Sequence, residues 1–432
     1  MNYQEARAYL NDAAKYGSVL GLENMRELMA GLKDPQDRLK FIHISGTNGK
    51  GSVLAYLSTI LKEAGYRVGR YISPTLFSYR ERIQVNEEYI KKEAYARHVS
   101  AVKKVIDDMT AAGKAHPTPF EIETAVAFLY FAEEGCDIVV LETGLGGDTD
   151  ATNIIRTPVL EVLVSISMDH MQFLGDTLAE IARHKAGIIK PETVVVSALQ
   201  QTEAMRVIEE TAKEQRAELF TADWMKAEDV RYGIGEQSFS YKGLTDAKIH
   251  LSGSYQISNA VTAVEAVFAL RKLGYAVSEE QLRSGLAKTR WQGRFSVLCK
   301  KPLFIMDGAH NRDGARMLKA SIEQYFEGKQ ITAICGMFRD KEYETVIKLV
   351  APYLTKLIAI ETPENPRALP KEELAETAKN CLEDVQCAET IADAVQKAFA
   401  QTNEEDVIVA FGSLSFLGEL TKAVESIRGN KI

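Results

Sequence analysis

The sequence predicts an α/β protein in which a doubly wound, mostly parallel sheet is followed by a smaller α/β domain. Apolar runs of strand length alternate with helical stretches whose apolar residues recur at three- and four-residue spacing. A glycine-rich turn joins one of these runs to a helical stretch. At 432 residues the chain exceeds what one hydrophobic core usually holds, which predicts two or three domains.

Five apolar runs are the predicted strands of the larger domain. The predicted strands are 40–44, 67–72, 138–141, 159–166 and 193–199, and the helical patterns between them are 53–64, 120–134 and 178–189. Strands that are apolar throughout are typical of a parallel sheet covered by helices on both faces. Short alternating pieces within 202–250 predict an antiparallel excursion, and a long helix is predicted over 258–273.

A second α/β series begins at residue 303. Its predicted strands are 303–307, 331–335, 356–361 and 407–411, and its first helix is 313–325. This alternation predicts a smaller, Rossmann-like domain with its own sheet. We interpret Lys300-Lys301-Pro302 as the linker, so the predicted domains are 1–298 and 299–432.

Composition excludes several classes of protein. A hydrophobic content of 46% and a charged content of 26% are typical of soluble globular chains. The net charge of -8 argues against a general nucleic-acid binder, and no apolar run reaches membrane-spanning length. The N-terminus lacks the apolar segment of a signal peptide, so we expect a cytoplasmic protein. The five scattered cysteines disfavour both a disulfide framework and a zinc site.

The glycine-rich turn predicts a phosphate-binding loop. It reads Gly46-Thr47-Asn48-Gly49-Lys50-Gly51-Ser52 and lies between a predicted strand and a predicted helix. Glycines let the backbone approach phosphate closely, the helix N-terminus adds a positive dipole, and Lys50 supplies a mobile cation. The loop departs from the strict P-loop pattern in two places, because Ile44 replaces the first glycine and Gly51 separates Lys50 from Ser52.

Polar residues follow other strands of the same predicted sheet. Glu142, His170 and Ser73 each come after a different strand, and the carboxyl ends of parallel strands meet at one edge, where the phosphate loop also lies. Carboxylate, hydroxyl and, less often, imidazole groups are ligands for Mg²⁺ beside phosphate. Gly144-Leu145-Gly146-Gly147 alone is weak support for a dinucleotide site.

The smaller domain has a similar strand end. Asp307-Gly308-Ala309-His310-Asn311 follows its first predicted strand and precedes a helix. Asp307 and His310 are therefore candidates for contacting a ligand held between domains. Asp307 also suits an ordinary helix-capping turn, which the sequence leaves open.

Taken together, these stretches resemble the folylpolyglutamate synthase/dihydrofolate synthase family within the Mur ligase superfamily. The matching stretches span nearly the whole chain in the family's order. They are Gly46 to Ser52, Ser73-Pro74, Glu81-Arg82-Ile83, Pro119-Phe120-Glu121, Glu142 to Gly147, Asp150-Ala151-Thr152-Asn153, Asp169-His170, Lys185 to Ile189, Gly293-Arg294 and Asp307 to Asn311. The resemblance implies a Mur ligase-like, P-loop-containing central domain that binds ATP and folate, followed by a C-terminal glutamate ligase domain.

The resemblance also implies the nucleotide and metal sites. The loop Gly46 to Ser52 would bind the ATP phosphates, and Asn259 would lie near the adenine. Arg294 would contact phosphate, and Asp307 and His310 would close on the nucleotide. Ser73, Glu142 and His170 would coordinate Mg²⁺, with two metal sites expected. Lys185 matches a lysine that is carbamylated in the family, which turns a cation into a metal-binding carboxylate.

Substrate and catalytic residues follow from the same resemblance. Arg82, Phe120, Glu121 and Asp150 are the expected folate-binding residues, with Phe120 available for stacking. The expected catalytic residues are Lys50, His170, Lys185, Asp307 and His310. Asp148 departs from the family pattern, because many relatives carry an arginine there, and this leaves dihydrofolate synthase activity open.

The implied activity is ATP-dependent addition of L-glutamate to the γ-carboxylate of a reduced folate through an acyl phosphate, with dihydropteroate as an alternative acceptor. The expected partners are small molecules, with neither nucleic acid nor membrane, and we expect a monomer. A Mur-type amino-acid ligase acting on another carboxylate is the alternative, and a nucleotide-binding switch without ligase activity is a further one. Only about 40 residues precede the phosphate loop, which disfavours a separate N-terminal substrate domain of the Mur type.

Overall fold

The structure is a computed structural model that describes residues 1–17, 21–156, 158–363 and 365–429. It divides into two compact units. The first consists of Met1–Thr75, Tyr79–Lys226 and Ser258–Lys288, and the second of Leu76–Ser78, Ala227–Ile257 and Thr289–Ile432. Each unit has its own sheet, so each is described by itself.

The first unit is built on an 8-stranded sheet of order β4-β3-β2-β5-β1-β6-β7-β8. Its strands are β1 (Phe41–Ser45), β2 (Val68–Tyr71), β3 (Ile83–Val85), β4 (Glu88–Tyr89), β5 (Ile138–Glu142), β6 (Leu160–Leu163), β7 (Val194–Ala198) and β8 (Glu218–Ala222). In this order, the six neighbouring strands β2, β5, β1, β6, β7 and β8 pair in parallel. At the other end of the sheet, β3 pairs antiparallel with β2 and with β4. The chain leaves β1 towards β2 on one side and continues from β6 towards β8 on the other, which confirms the doubly wound, mostly parallel prediction.

Helices cover this sheet. They are α1 (Tyr3–Ala13), α2 (Glu23–Gly31), α3 (Lys50–Glu63), α4 (Lys92–Ala111), α5 (Pro119–Glu133), α6 (Met171–Leu174), α7 (Leu178–Ala186), α8 (Thr202–Glu214), α9 (Gln256–Lys272) and α10 (Glu279–Lys288). One core joins α1, α2, α4 and α5 to β1, β2 and β5, and a second joins α7 and α8 to β6 and β7. The central strands β1 and β5 are therefore buried throughout.

Helix α5 shows how local sequence determines an element beside the site. Pro119 occupies its first turn, where a missing N–H costs nothing. Thr118 and Glu121 form a capping box in which each side chain accepts a hydrogen bond from the other's backbone N–H. The start of α5 is thereby fixed at Phe120 and Glu121, to which the resemblance assigns substrate binding.

The second unit contains a 6-stranded sheet of order β12-β13-β17-β14-β15-β16 and a 3-stranded sheet of order β11-β10-β9. The strands are β9 (Glu228–Arg231), β10 (Gln237–Tyr241), β11 (Leu244–Ile249), β12 (Ser296–Lys300), β13 (Leu303–Met306), β14 (Ile331–Cys335), β15 (Lys356–Ala359), β16 (Val385–Cys387) and β17 (Val407–Phe411). The helices are α11 (Arg312–Tyr325), α12 (Tyr343–Val350), α13 (Lys371–Lys379), α14 (Ile391–Gln401) and α15 (Leu417–Arg428). In the 6-stranded sheet the neighbouring strands β13, β17, β14, β15 and β16 pair in parallel, as expected for a Rossmann-like domain.

Two expectations are wrong. Lys300-Lys301-Pro302 is not a linker, because β12 and β13 pair antiparallel, Lys300 is the last residue of β12, and Lys301-Pro302 form the hairpin turn. The segment 202–250 is antiparallel only from β9 onwards, since it begins with helix α8 and with β8, which joins the main sheet in parallel. The antiparallel piece Ala227–Ile257 belongs to the second unit, so the compact units differ from the functional division 1–298 and 299–432, which stays a prediction.

In the part of the chain that the structure describes, no helix combines the length and the apolar character needed to span a bilayer.

Helix α10 packs unusually close to α3, the helix that begins at the phosphate loop. A Cβ at Gly285 would lie 2.5 Å from the Ile60 Cα and 2.6 Å from its Cγ1. We expect Gly285→Ala to lower the free energy of unfolding by about 1–3 kcal/mol, because the backbone of α3 must shift to admit the methyl group. Chemical denaturation measures this loss.

The matched control on the same helix is Lys288→Ala, which removes a surface ion pair with Glu63. Exposed pairs of this kind contribute at most about 1 kcal/mol. Equal stability of Gly285→Ala and the wild type would contradict the close approach of α10 and α3.

Candidate active site

The phosphate loop leaves β1 and enters α3 with the geometry of an anion-binding turn. Gly49 is the N-cap of α3 and offers no capping side chain. The N-terminus of a helix points backbone N–H groups and the positive end of the helix dipole towards an anion. The N–H groups of Thr47 and Asn48 donate to the Ser165 carbonyl, at 2.7 and 3.3 Å. The loop is thereby anchored to the segment after β6, beside the point where the strand order reverses.

Two loop positions admit only glycine. Gly46 has φ +147° and Gly49 has φ +98°, both in the region that side chains disfavour. A Cβ at Gly46 would lie 2.3 Å from a Val164 methyl group, and one at Gly49 would lie 2.5 Å from the Asn259 Oδ1. The structure therefore places Asn259, which the resemblance assigned to the adenine, directly against the loop.

Two lysine amines converge on the Gly46 carbonyl. The Lys50 Nζ donates to it at 3.1 Å and to the Thr47 carbonyl at 3.3 Å. The Lys185 Nζ, on the distant helix α7, donates to the same Gly46 oxygen at 2.9 Å. Two lysine amines at one turn favour an anionic ligand such as a polyphosphate.

Lys185 is unusual for a lysine on a helix because it is only 3% exposed. Burial lowers its pKa to about 7, the charge of Lys50 acts in the same direction, and Asp169 and Asp150 oppose the change. A substantial fraction of the amine is therefore uncharged and nucleophilic at neutral pH. Periodicity alone gave no reason to select this residue, because its burial depends on the loop that packs over the end of α7.

That covering loop is held to α7 by the backbone and by Asn153. The Asn153 amide donates to the carbonyls of Asp148 and Gly187, at 3.0 and 3.1 Å. The Asp148 N–H donates to the His184 carbonyl at 2.9 Å, and the Asp148 carboxylate lies 2.9 Å from the His184 Nδ1. Asp148 is thus held by hydrogen bonds to the end of α7 that carries Lys185.

The predicted metal ligands follow strands near β1 in the sheet. Strands β5 and β6 are the direct neighbours of β1, and β2 lies next to β5. Ser73 comes after β2, Glu142 ends β5 and His170 comes after β6, so three strand ends and the phosphate loop share one edge of the sheet. The Ser73 N–H donates to the Glu142 Oε2 at 3.3 Å, and Glu142 is 5% exposed. His170 is exposed and has φ +52° at the start of α6. Among the described residues, no three His, Cys, Asp or Glu side chains cluster as a metal-binding group.

Asp150 is saturated by its own loop. Its Oδ2 accepts from the N–H groups of Gly144 and Leu145 at 2.9 and 2.8 Å. Its Oδ1 accepts from the Thr152 N–H and hydroxyl at 3.0 and 2.5 Å. Burial raises the pKa of Asp150, and these hydrogen bonds oppose the rise. Asp150 therefore shapes the loop after β5 through four hydrogen bonds, and its predicted role in substrate binding stays a prediction.

A histidine that sequence reasoning missed extends this network to the strand before the phosphate loop. The His43 Nε2, on β1, lies 2.8 Å from the Thr152 Oγ1. Because the single Thr152 hydroxyl proton goes to Asp150, we assign the Nε2 as the protonated ring nitrogen. Burial lowers the pKa of His43 to about 3, so the ring is neutral. The chain His43–Thr152–Asp150 joins β1 to the loop after β5.

The predicted folate-binding residues Phe120, Arg82 and Glu121 lie close to the start of α5, beside the loop that follows β5. A Cβ at Gly144 would lie 2.6 Å from the Phe120 Cζ, so the ring rests on the loop backbone. The Arg82 guanidinium is 6.0 Å from the Phe120 ring centre and pairs with the buried carboxylate of Glu123 at 2.7 Å. Glu121 is engaged in the capping box of α5, and burial raises its pKa. Glu123, which orients Arg82, was missed because it resembles an ordinary helix residue.

In the second unit, Asp307 holds a second turn. Its Oδ2 accepts from the Tyr255 hydroxyl at 2.7 Å and from the Phe295 N–H at 2.8 Å, and its Oδ1 accepts from the Ala309 N–H at 2.8 Å. Burial raises the pKa of Asp307, while the Tyr255 hydroxyl and the Arg294 charge oppose the rise. Arg294 and Asp307, two predicted site residues, are thus neighbours in this unit.

His310 lies three residues further along the same loop. Its Nδ1 is 2.7 Å from the Gly308 carbonyl, which can only accept, so we assign Nδ1 as the protonated nitrogen. This tautomer makes Nε2 the basic nitrogen of the ring.

Comparison with known proteins bears on these sites. The model of the Mur ligase middle domain matches residues 44–267, and that of the Mur ligase, glutamate ligase domain matches residues 293–414. The dihydrofolate synthase/folylpolyglutamate synthase of Bacillus subtilis is 35% identical over 98% of this chain and 99% of its own. The chain belongs to the folylpolyglutamate synthase/dihydrofolate synthase family of Mur ligases. The resemblance stated from the sequence is confirmed.

Solved structures of this family match along the whole chain. Folylpolyglutamate synthase of Mycobacterium tuberculosis, complexed with ADP and AMPPCP, has a TM-score of 0.89 at 28% identity and covers 99% of this chain and 98% of its own. FolC of E. coli, in complex with DHPP and ADP, has a TM-score of 0.86 at 28% identity, with 99% of both chains covered. These matches confirm the fold class and do not favour the Mur-type alternative.

The chain His43–Thr152–Asp150 generates a stability prediction. Thr152→Val keeps the side-chain shape but leaves the His43 N–H without its acceptor and removes a bond to Asp150. We expect the free energy of unfolding to fall by about 1–3 kcal/mol, the cost of leaving a buried polar group unsatisfied. Urea unfolding measures it.

Thr152→Ser is the control, since it keeps the hydroxyl and loses one methyl group, worth about 0.8 kcal/mol. If the valine variant were as stable as the wild type, the hydrogen-bond chain would contribute nothing to folding.

Proposed function

We propose that this protein is an ATP-dependent, ADP-forming ligase that adds L-glutamate to the γ-carboxylate of a reduced folate, and the test below decides whether dihydropteroate is an acceptor as well. The observation that carries the proposal is the phosphate loop with two lysine amines on the Gly46 carbonyl. Family membership supports the acceptor class, because relatives named for both activities match along nearly the whole chain. The side chains for folate, Phe120 and Arg82, lie beside the loop that follows β5.

The carboxylate must first become a good electrophile. Its oxygen attacks the γ-phosphorus of ATP, ADP leaves, and an acyl phosphate forms. The uncharged amine of glutamate then attacks the acyl carbon, phosphate leaves, the nitrogen releases one proton, and an amide bond results. We propose that the N–H groups of the phosphate loop orient the triphosphate, while Lys50 offsets charge on the transferring phosphoryl group. The contact of Arg294 with phosphate, which the resemblance implies, stays a prediction.

Mg²⁺ fits the donors at the sheet edge. Glu142 supplies a nearly buried carboxylate, Ser73 a hydroxyl and His170 an imidazole, all hard or borderline ligands. Mg²⁺ is usually held by one or two carboxylates together with substrate phosphates and water, so a single carboxylate next to a phosphate loop is sufficient. When bound, the ion supplies positive charge to the phosphate oxygens. A second metal position at His170 and Lys185 is part of the proposal.

We also propose that Lys185 reacts with CO₂ to form a carbamate. The uncharged amine attacks the carbon of CO₂ and releases one proton, which leaves a carboxylate on nitrogen. The lowered pKa of Lys185, about 7, supports this step because an ammonium group cannot react. A carboxylate would also relieve the repulsion between two cations at the Gly46 carbonyl.

The direct test is ADP release by purified protein with Mg-ATP and L-glutamate, with tetrahydrofolate in one series and dihydropteroate in another. Stimulation by tetrahydrofolate alone indicates a folylpolyglutamate synthase, and stimulation by both indicates two activities. Stimulation by neither would overturn the proposal and favour a different carboxylate acceptor. The cytoplasmic location and the monomeric state stay predictions.

Lys50→Ala should lower kcat at least about 100-fold, since it removes a cation from the developing phosphoryl charge. The fold should remain intact, because the Lys50 amine bonds only to loop carbonyls among its described hydrogen bonds. Steady-state kinetics and circular dichroism measure the two effects.

Lys62→Ala is the matched control on helix α3, where Lys62 pairs with Glu87 away from the loop. Its kcat should stay within about twofold of the wild type. Normal turnover by Lys50→Ala would refute the assignment of the phosphate loop.

Lys185→Ala should be inactive and should regain activity with added acetate or propionate, which can occupy the place of the carbamate. Methylamine should not restore activity, because it replaces the amine instead. For the wild type, ¹³C NMR with labelled bicarbonate should show a carbamate signal that is lost below pH 7, where the amine is protonated. Rescue by methylamine alone would show that Lys185 acts as a cation.

A further inference from the structure

Phe295 has a backbone conformation that an aromatic residue rarely adopts. Its φ is +46°, in the left-handed region, and its side chain is fully buried. The ring packs against Tyr325 and Phe326, with centres 5.5 and 5.8 Å away. Such strain persists only where the surroundings overdetermine it, and it is found preferentially at functional sites. The residue immediately before Phe295 is Arg294.

The strained turn is held by hydrogen bonds from Asp307 and its loop. The Phe295 N–H donates to the Asp307 Oδ2 at 2.8 Å, and the Gly308 N–H donates to the Gly293 carbonyl at 3.0 Å. The Arg294 Nη1 donates to the same Gly293 carbonyl at 3.1 Å. A Cβ at Gly308 would lie 2.3 Å from that Nη1, so the guanidinium rests directly on the loop.

Asp307 is in turn oriented by Tyr255, whose hydroxyl donates to the Asp307 Oδ2 at 2.7 Å. The hydrogen bonds from the Tyr255 hydroxyl and the Phe295 N–H use both lone pairs of the Asp307 Oδ2, so this oxygen stabilises the turn. Burial and the Asp307 charge raise the pKa of Tyr255 well above its usual value, which keeps the hydroxyl proton in place at physiological pH.

The segment that carries Tyr255 is itself fixed within the second unit. The Gln237 amide donates to the carbonyls of Leu251 and Gly253, at 2.7 and 3.2 Å. The Ser254 N–H donates to the Ser321 Oγ at 3.0 Å. Tyr255 therefore presents its hydroxyl from a rigid support.

We propose that Tyr255 is a positioning residue for Arg294: through Asp307 its hydroxyl holds Phe295 in the left-handed conformation and so fixes the turn that carries the guanidinium. The inference rests on the proposed function in one respect, the contact of Arg294 with phosphate. It assigns Tyr255 a role in the reaction, and it makes Asp307 a residue that acts through Arg294.

The test is a double-mutant cycle in the full chain with Tyr255→Phe, Arg294→Ala and the double variant. Tyr255→Phe removes one oxygen atom and keeps the ring. It should lower kcat about tenfold or more, the effect of losing one hydrogen bond to a charged group that matters in the transition state. In the Arg294→Ala background the same change should alter kcat less than twofold, because the residue through which it acts is gone.

Tyr343→Phe is the matched control, since this half-buried hydroxyl of the same unit donates to the Glu373 carboxylate at 3.2 Å. It should leave kcat unchanged. Thermal unfolding of every variant shows whether it folds, and Arg294→Lys replaces Arg294→Ala if the latter does not. Equal effects of Tyr255→Phe in both backgrounds would overturn the proposal, because they would indicate a general structural role.

ADP affinity, measured by calorimetry, separates this inference from the proposed function. If the wild type ligates glutamate to neither tetrahydrofolate nor dihydropteroate, the proposed function is wrong. The double-mutant cycle can still be evaluated, with the dissociation constant of ADP in place of kcat. Tyr255→Phe should then weaken ADP binding about tenfold in the wild-type background and less than twofold with Arg294→Ala. Unchanged ADP affinity in Tyr255→Phe together with unchanged kcat would refute the role of Tyr255.

Discussion

The candidate site of the first unit is organised around the carbonyl oxygen of Gly46. This oxygen accepts hydrogen bonds from the amines of Lys50 and Lys185, which come from two different helices. Its residue has φ +147° and no room for a Cβ, so the turn exists only with glycine there. Two ammonium groups at one oxygen repel each other, and burial makes the repulsion stronger. Burial lowers the pKa of Lys185, and the charge of Lys50 lowers it further.

Both units use a buried carboxylate to shape a loop instead of leaving it open to ligand. Asp150 accepts four hydrogen bonds from the loop after β5, and Asp307 accepts three around the turn of Arg294. An aspartate that follows a parallel strand is easily interpreted as a ligand contact. Here the neutral His43 ring is linked to Asp150 through Thr152, and the Tyr255 hydroxyl donates directly to Asp307. These two residues therefore stabilise the two loops. Preorganised loops of this kind place donors accurately before substrate arrives.

The order of the strands explains why distant residues share one site. Ser73, Glu142, the phosphate loop and His170 follow β2, β5, β1 and β6, which are neighbours in the sheet but not in the sequence. The winding direction changes at β1, and the carboxyl ends of the strands open a crevice at that point. Lys185 and Asn259 reach the same loop from α7 and α9. The candidate site at this edge of the sheet is therefore assembled from six separate stretches of the chain.

The sequence by itself determined the element types, the fold class and the phosphate loop, because these depend on local periodicity, turn chemistry and glycine spacing. Strands β14 and β17 and the start of α5 lie where the pattern predicted them. Only the tertiary structure decided that Lys301-Pro302 form a hairpin turn, that Lys185 is buried, and that His43, Glu123 and Tyr255 support the candidate sites. Each of these depends on a partner far away in the chain, and neither the burial of a charge nor the partner of a hydrogen bond can be deduced from local spacing.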